Sequence, residues 1–275
     1  MSENQMNNST GTPSCNDLNL FAEERRNRIL ELLASESRVL VGDLSMRFGV
    51  SPATLRNDLR DLDAAGLLRR THGGAVVREA VAVEQPADTA FAEHQEAKIA
   101  IGARAAQLVR DGETIFCDSG STTFEFVRAL ASRRGITLIT NDYAIASEAE
   151  RLLPDCSINL LGGSVRNGFH YTTGSSAIDA LMRFSAPLAF LAASAFSFER
   201  GFTVHTTDLS NFKRRMIERS ERCVMLMDSS KIGTFTTVTF AELSDVSELV
   251  TDGRISSSDR LRFESCGESP IITIA

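Results

Sequence analysis

The chain has 275 residues, 43% of them hydrophobic, which suits two domains with full cores. No stretch approaches 18 consecutive apolar residues, so no membrane-spanning helix is predicted. The net charge of −7 argues against nucleic-acid binding by the whole surface, yet the window Phe21–Arg78 carries ten Arg against eight Asp and Glu. An acidic body with a mildly basic head fits a chain that touches nucleic acid through one small module.

The first 20 residues are polar, with neither a basic n-region nor an apolar h-region. They predict a disordered tail and a cytoplasmic chain. The five cysteines (15, 117, 156, 223 and 266) form no C-x-x-C pair and read as reduced thiols. The four histidines are scattered, and no spacing suggests a metal site; neither metal nor cofactor is expected.

The first predicted helix runs from Ala22 to about Ala34, with Ile29, Leu30, Leu32 and Leu33 among charged residues. Arg38–Val41 favours a strand. A short helix follows over Gly42–Arg47, and Gly49 is placed to end it. Ser51-Pro52 is a strong start signal: an N-cap hydroxyl followed by proline at the first helical position. Gly66 ends this helix. Leu67–Arg70, the turn Thr71–Gly74 and Ala75–Val77 then read as strand, turn, strand.

On a helical wheel Leu55, Leu59 and Leu62 form the buried stripe of the Ser51 helix. Ala53, Arg56, Asn57 and Arg60 lie opposite, as a helix that reads a major groove requires. Ser51, Pro52 and Thr54 stand at the helix start, where hydroxyls and backbone N–H groups can meet phosphates. Asp58, at the edge of the polar face, is expected to orient a neighbouring Arg. In the hairpin, Arg69, Arg70 and His72 flank a turn whose Gly73 permits close approach to a backbone. Feature by feature, an ordinary amphipathic helix and hairpin explain the same residues; their ordered combination favours a winged helix-turn-helix, mainly α with a small β-wing. Residues 25 to 78 resemble the N-terminal domain of the DeoR family of bacterial regulators. The match covers Ser51, Thr54, Arg56, Asp58, Leu59, Leu62, Gly66 and His72-Gly73-Gly74-Ala75. Leu55 replaces the usual β-branched residue, and Asn57 stands where most members carry a second Arg.

Residues 78–90 show no period and contain Pro86; they read as a linker between a head over 21–77 and a body over 91–275. In the body, apolar strands alternate with helices, which implies a mostly parallel, Rossmann-like α/β sheet. The loop Asp118-Ser119-Gly120-Ser121-Thr122-Thr123 follows a strand and opens a helix. Such a loop makes an anion cradle, although the same residue types make a simple cap. Thr140-Asn141-Asp142, Gly162-Gly163 and Asp228–Lys231 follow other strands, and ligands bind beyond the carboxyl ends of strands in such sheets. Against 26 Arg the chain has three Lys. Lys231 in a strand-end loop reads as a compact charge for a ligand, Lys98 as a surface residue, and Lys213 as a helix-surface, subunit or ligand contact.

Ala97 to Asp252 resembles the sensor domain of the same family, a relative of the ribose-5-phosphate isomerase and glucosamine-6-phosphate deaminase folds. The shared motifs are Asp118–Thr122, Thr140-Asn141, Gly162-Gly163, Lys213–Ile217 and Asp228–Gly233. The resemblance implies a DNA-binding repressor of a sugar-catabolism operon. It implies binding to double-stranded operator DNA as a homo-dimer or tetramer, relieved by a phosphorylated sugar. The pieces DSGSTTFE, RNDL and FERGFTVH look most like the N-acetylgalactosamine and tagatose-phosphate branch. Ala192-Ala193 replaces the family's Gly-rich segment and is expected to narrow the pocket. The alternative is a sugar-phosphate isomerase or deaminase carrying a DNA-binding head, with Asp118, Asp228 and Lys231 as its proton-transfer groups.

Overall fold

The computed structural model describes residues 20–36, 38–76, 80–267 and 270–275. The chain falls into two compact units, Met1–Arg78 and Glu79–Ala275. Nearly all of the predicted tail, Val77 of the predicted head and residues 78–79 of the predicted linker lie outside the described residues.

The first unit runs α1 (Ala22–Glu36), β1 (Arg38–Leu40), α2 (Val41–Phe48), α3 (Pro52–Ala64), β2 (Arg69–Arg70) and β3 (Gly74–Val76). Gly49 ends α2 at a φ of 65°, its N–H on Ser45 O at 3.0 Å. Ser51 starts α3 as expected, its Oγ accepting the Thr54 N–H at 3.1 Å. Ile29, Leu33, Leu44, Phe48, Leu55, Leu59, Leu62 and Leu68 close one core under the antiparallel sheet β1-β3-β2. Gly74 pairs with Leu40 in that sheet. A Cβ at Gly74 would lie 1.9 Å from Val39 O, so only glycine lets the hairpin close on β1.

The second unit begins inside the predicted linker: β4 (Ala80–Val81) and α4 (Ala87–Ala92) are ordered elements. A two-residue strand and a six-residue helix are too short to leave a hydrophobic period, which is why the sequence reads as linker there. There follow α5 (Gln95–Ala106), β5 (Thr114–Cys117), α6 (Ser121–Ala129), β6 (Thr137–Thr140), α7 (Tyr143–Leu152) and β7 (Ser157–Leu160). Next come β8 (Ser164–Val165), β9 (Thr172–Thr173), α8 (Ser175–Leu181), β10 (Ala186–Ala192), β11 (Ala195–Ser197), β12 (Gly201–Val204) and α9 (Thr207–Glu218). The chain closes with β13 (Ser220–Leu226), β14 (Thr234–Phe235), β15 (Val238–Ala241), β16 (Glu248–Thr251), α10 (Ser257–Ser265) and β17 (Ile271–Ile274).

Seven strands form one parallel sheet in the order β17-β16-β13-β10-β5-β6-β7. The α/β expectation is met. The inner strands carry apolar runs, Leu188–Ala192 on β10 and Cys223–Leu226 on β13, because both faces are covered. On β10, Ala189 and Leu191 join one core with Phe212 and Phe263, while Leu188 and Phe190 join the other with Ile101 and Phe126. From β5 the chain winds to β6 and β7 on one side; β10, β13, β16 and β17 build the other. The two halves part between β5 and β10, and their carboxyl ends leave a crevice there.

Candidate functional site

The loop after β5 forms one wall of that crevice and the Ala192–Ser194 turn after β10 forms the other. The Asp118 carboxylate joins them: Oδ2 accepts the Ala192 N–H at 3.0 Å and also meets Lys213 Nζ. Lys213 Nζ donates to Ala192 O as well, at 2.9 Å. Asp118 and Lys213 are both buried. Lys213, left open between surface and ligand by the sequence, is the pin that closes the crevice floor.

A cavity of about 180 Å³ lies above this pair. Ser119, Gly120, Ser121, Thr122, Asp142, Ala192, Ala193, Lys213 and Lys231 line it on the sheet side. The N–H groups of Ser121, Thr122 and Thr123 open α6 there and have no carbonyl one turn earlier to bond, which makes them an anion seat. Thr122 is 1% exposed, and its Oγ1 has no hydrogen-bond partner. Lys231 lies at the rim, its Nζ 3.7 Å from Asp228 Oδ2. Burial lowers its pKa, and Asp228 only partly restores it. Burial likewise raises the Asp228 carboxyl, but Lys231, the Ser230 hydrogen bond, His94 and Lys98 bring it below the usual range.

The predicted residues thus divide. Ser119, Gly120, Ser121, Thr122 and Lys231 reach the cavity. Asp118, Thr123, Asn141 and Asp228 stand behind its wall: Thr123 Oγ1 bonds Gly120 O at 2.9 Å, and Asn141 Nδ2 donates to Thr172 O at 2.7 Å. Gly162 and Gly163 are not brought to it, because β7 is the sheet edge, two strands from the crevice. Gly163 has a structural reason instead: a Cβ there would sit 2.6 Å from Thr173 O. Lys98, read as a surface residue, is buried and bonds Glu93 O at 2.6 Å and Ala90 O. Burial is the main cause that lowers its pKa to about 8. Asp142, the last residue of the strand-end loop Thr140-Asn141-Asp142, also lines the cavity; the outer wall, formed by Val83–Phe91, Phe169, Tyr171 and His205, was not foreseen from the sequence. Burial holds the His205 imidazole below the usual histidine range.

Asp142 caps α7, its Oδ1 accepting N–H groups of Ala144 and Ile145 at 2.8 and 3.0 Å. Burial pushes its carboxyl up to about 7, against the pull of the Ile145, Ala144 and Gly120 amides; Asp118 adds repulsion. A native pKa above the unfolded 3.8 means the folded chain holds the proton more tightly. The contribution of Asp142 to stability is therefore greatest below about pH 4 and falls until pH passes about 7, by at most ~4 kcal/mol. Asp142→Asn keeps the cap and removes the titration. Urea midpoints at pH 4.5 and pH 8 are expected to differ less in the variant, with the variant the more stable at pH 8; an unchanged pH dependence contradicts the assignment.

In the first unit, Ser51, Pro52, Ala53, Arg56, Asn57, Arg60, Arg69, Arg70, His72 and Gly73 are exposed, and Thr54 is half-buried. Asp58 orients arginines, as expected; it is buried and accepts Arg25 Nε at 2.7 Å and Arg26 Nε at 3.1 Å, both on α1. The pair locks α3 to α1 and removes a negative charge from the exposed face.

Residues 25–81 match the model of the DeoR-like helix-turn-helix domain, and residues 93–253 match the DeoR C-terminal sensor domain. The chain is 33% identical to the HTH-type transcriptional regulator GlpR of Haloferax volcanii, over 93% of this chain and 100% of that protein. It is 29% identical to a repressor named for the aga operon in Escherichia coli O157:H7, over 90% of this chain and 93% of that protein. Ribose 5-phosphate isomerase A from Methanocaldococcus jannaschii aligns with 51% of this chain and 55% of its own, at 17% identity and a TM-score of 0.38.

Proposed function

The chain belongs to the DeoR family, and from that premise we propose that it is a transcription repressor of a sugar-catabolism operon, released from DNA by a phosphorylated sugar. The observation that carries the ligand half is the cavity at the β5–β10 crevice. It combines free α6 amides, the unpartnered Thr122 hydroxyl and Lys231, and so suits a phosphate dianion. In this reading Ser119, Gly120, Ser121, Thr122 and Lys231 hold the phosphate, while Asp118 and Asp228 position Lys213 and Lys231. Thr123 and Asn141 shape the loops behind. The exposed α3 face reads the major groove through Ala53, Thr54, Arg56, Asn57 and Arg60. Arg69, Arg70, His72 and Gly73 of the hairpin meet the phosphate backbone.

The chain is read as cytoplasmic, and as a dimer or tetramer, since paired heads on paired half-sites multiply affinity. It is read as a sensor and not an enzyme. Asp118 and Asp228, the proton-transfer groups of the isomerase or deaminase alternative, are each tied to a lysine. Asp142 is the cavity group whose pKa near 7 favours that alternative, but its Oδ1 is committed to two α7 amides.

Selection of fragments from genomic DNA by the purified full-length chain tests the regulator. A small set of fragments with repeated half-sites is expected, lost in the Arg56→Ala variant. Uniform capture of all fragments contradicts it.

A further inference from the structure

The outer wall of the cavity is the segment that continues the chain out of the first unit. It is attached at four places. Thr234↔Ala80 and Phe235↔Val81 pair β14 with β4, and Ala82 N–H reaches Phe235 O at 2.9 Å. Glu84 forms a two-pronged ion pair with Arg166 at 2.6 and 2.7 Å. Arg166 is itself held by the Tyr171 hydroxyl at 2.6 Å and by the Phe169 ring at 4.0 Å. Ala87 N–H bonds Gly168 O at 2.9 Å, and Lys98 grips the end of α4 through the Ala90 and Glu93 carbonyls. Between these anchors Glu84, Gln85 and Phe91 face the cavity.

The two walls differ in chemistry. The α6 wall offers amides, a hydroxyl and a lysine, which suit a phosphate. The strap offers a carboxylate whose charge Arg166 neutralises, the Gln85 amide, whose Nε2 donates to Glu93 Oε1 at 3.0 Å and whose oxygen can accept, and an aromatic ring, next to the neutral His205 imidazole. Such groups accept and donate single hydrogen bonds and pack against C–H faces, as hydroxylated carbon chains require.

Resting on the phosphate reading above, we propose that the strap Val83–Phe91 is the part of the site that reads the sugar. Glu84 and Gln85 are its specificity residues, and the ligand class is a phosphorylated polyol or sugar enclosed between strap and α6. The strap lies in the part of the second unit that follows directly on the first, three residues after β4 begins at Ala80.

Amide hydrogen exchange of the full-length chain tests this with two probes: inorganic phosphate, and a set of glucose, galactose, fructose and tagatose 6-phosphates. Both probes are expected to slow exchange at 121–123, but only a sugar phosphate at 82–92. Protection of 121–123 by a sugar phosphate with 82–92 unchanged overturns the strap inference and leaves the phosphate site standing. No protection at 121–123 by either probe overturns the phosphate reading, and the inference with it. Glu84→Gln and Gln85→Ala are expected to weaken the sugar phosphate at least about tenfold while phosphate alone changes less than about twofold. Equal weakening of both probes assigns the strap a structural role only and overturns the proposal.

Discussion

Lys213→Met is expected to cost about 3–5 kcal/mol of folding stability, because it leaves the Asp118 carboxylate buried without a counter-charge. Asp118 is 0% and Lys213 2% exposed, so bulk water screens the lost partner only weakly. The carboxylate also holds the Ala192 N–H, and Lys213 holds the Ala192 carbonyl, so both crevice walls lose an anchor at once. Asp118→Asn in the same chain removes the uncompensated charge and is expected to return a large part of the loss. Urea unfolding of wild type, single and double variants measures it. A double variant no more stable than the single one shows that the pair is held by something other than charge compensation.

The second large effect belongs to the head. Arg56→Ala and Asn57→Ala are each expected to weaken operator binding about 10- to 100-fold, and to relax base preference at one position each. Both side chains are exposed on the face of α3 opposite Leu55, Leu59 and Leu62, so the fold is expected to stay intact. Arg69→Ala in the hairpin is expected to weaken all DNA sequences alike and to reduce the salt dependence by about one counterion. Titrations of operator and scrambled duplex at several salt concentrations separate the two kinds of contact. Equal losses on both duplexes for Arg56→Ala contradict its role as a base reader.

What the sequence made legible was local. Ser51-Pro52 announces α3 through two signals within one turn, and the polar face follows from the 100° step alone. The loop after β5 is legible because strand, small residues and helix lie within ten positions. Contacts between distant segments were not. Asp58 sits on the wheel at the margin of the leucine stripe, and its partners on α1 are more than thirty positions away. Lys213 stands in the run Lys213-Arg214-Arg215, which looks like a solvated helix face; only the fold brings it to Asp118. Gly162-Gly163 follows a strand as the ligand loops do, but strand order, which the sequence does not display, puts β7 at the edge. The strap escaped notice because its elements are too short to leave a pattern and its hold on the body is made by Arg166 and Lys98.

In the proposed function, a phosphorylated sugar in the β5–β10 cavity decides whether the head holds DNA. One measurement addresses it directly: anisotropy titration of the selected operator by the full-length chain, with and without a saturating sugar phosphate that protects 121–123. Operator affinity is expected to drop roughly 5- to 150-fold with ligand, the range of a typical coupling between two sites. The drop is expected to disappear in Lys231→Ala. An operator affinity unchanged by a ligand that demonstrably fills the cavity contradicts the account.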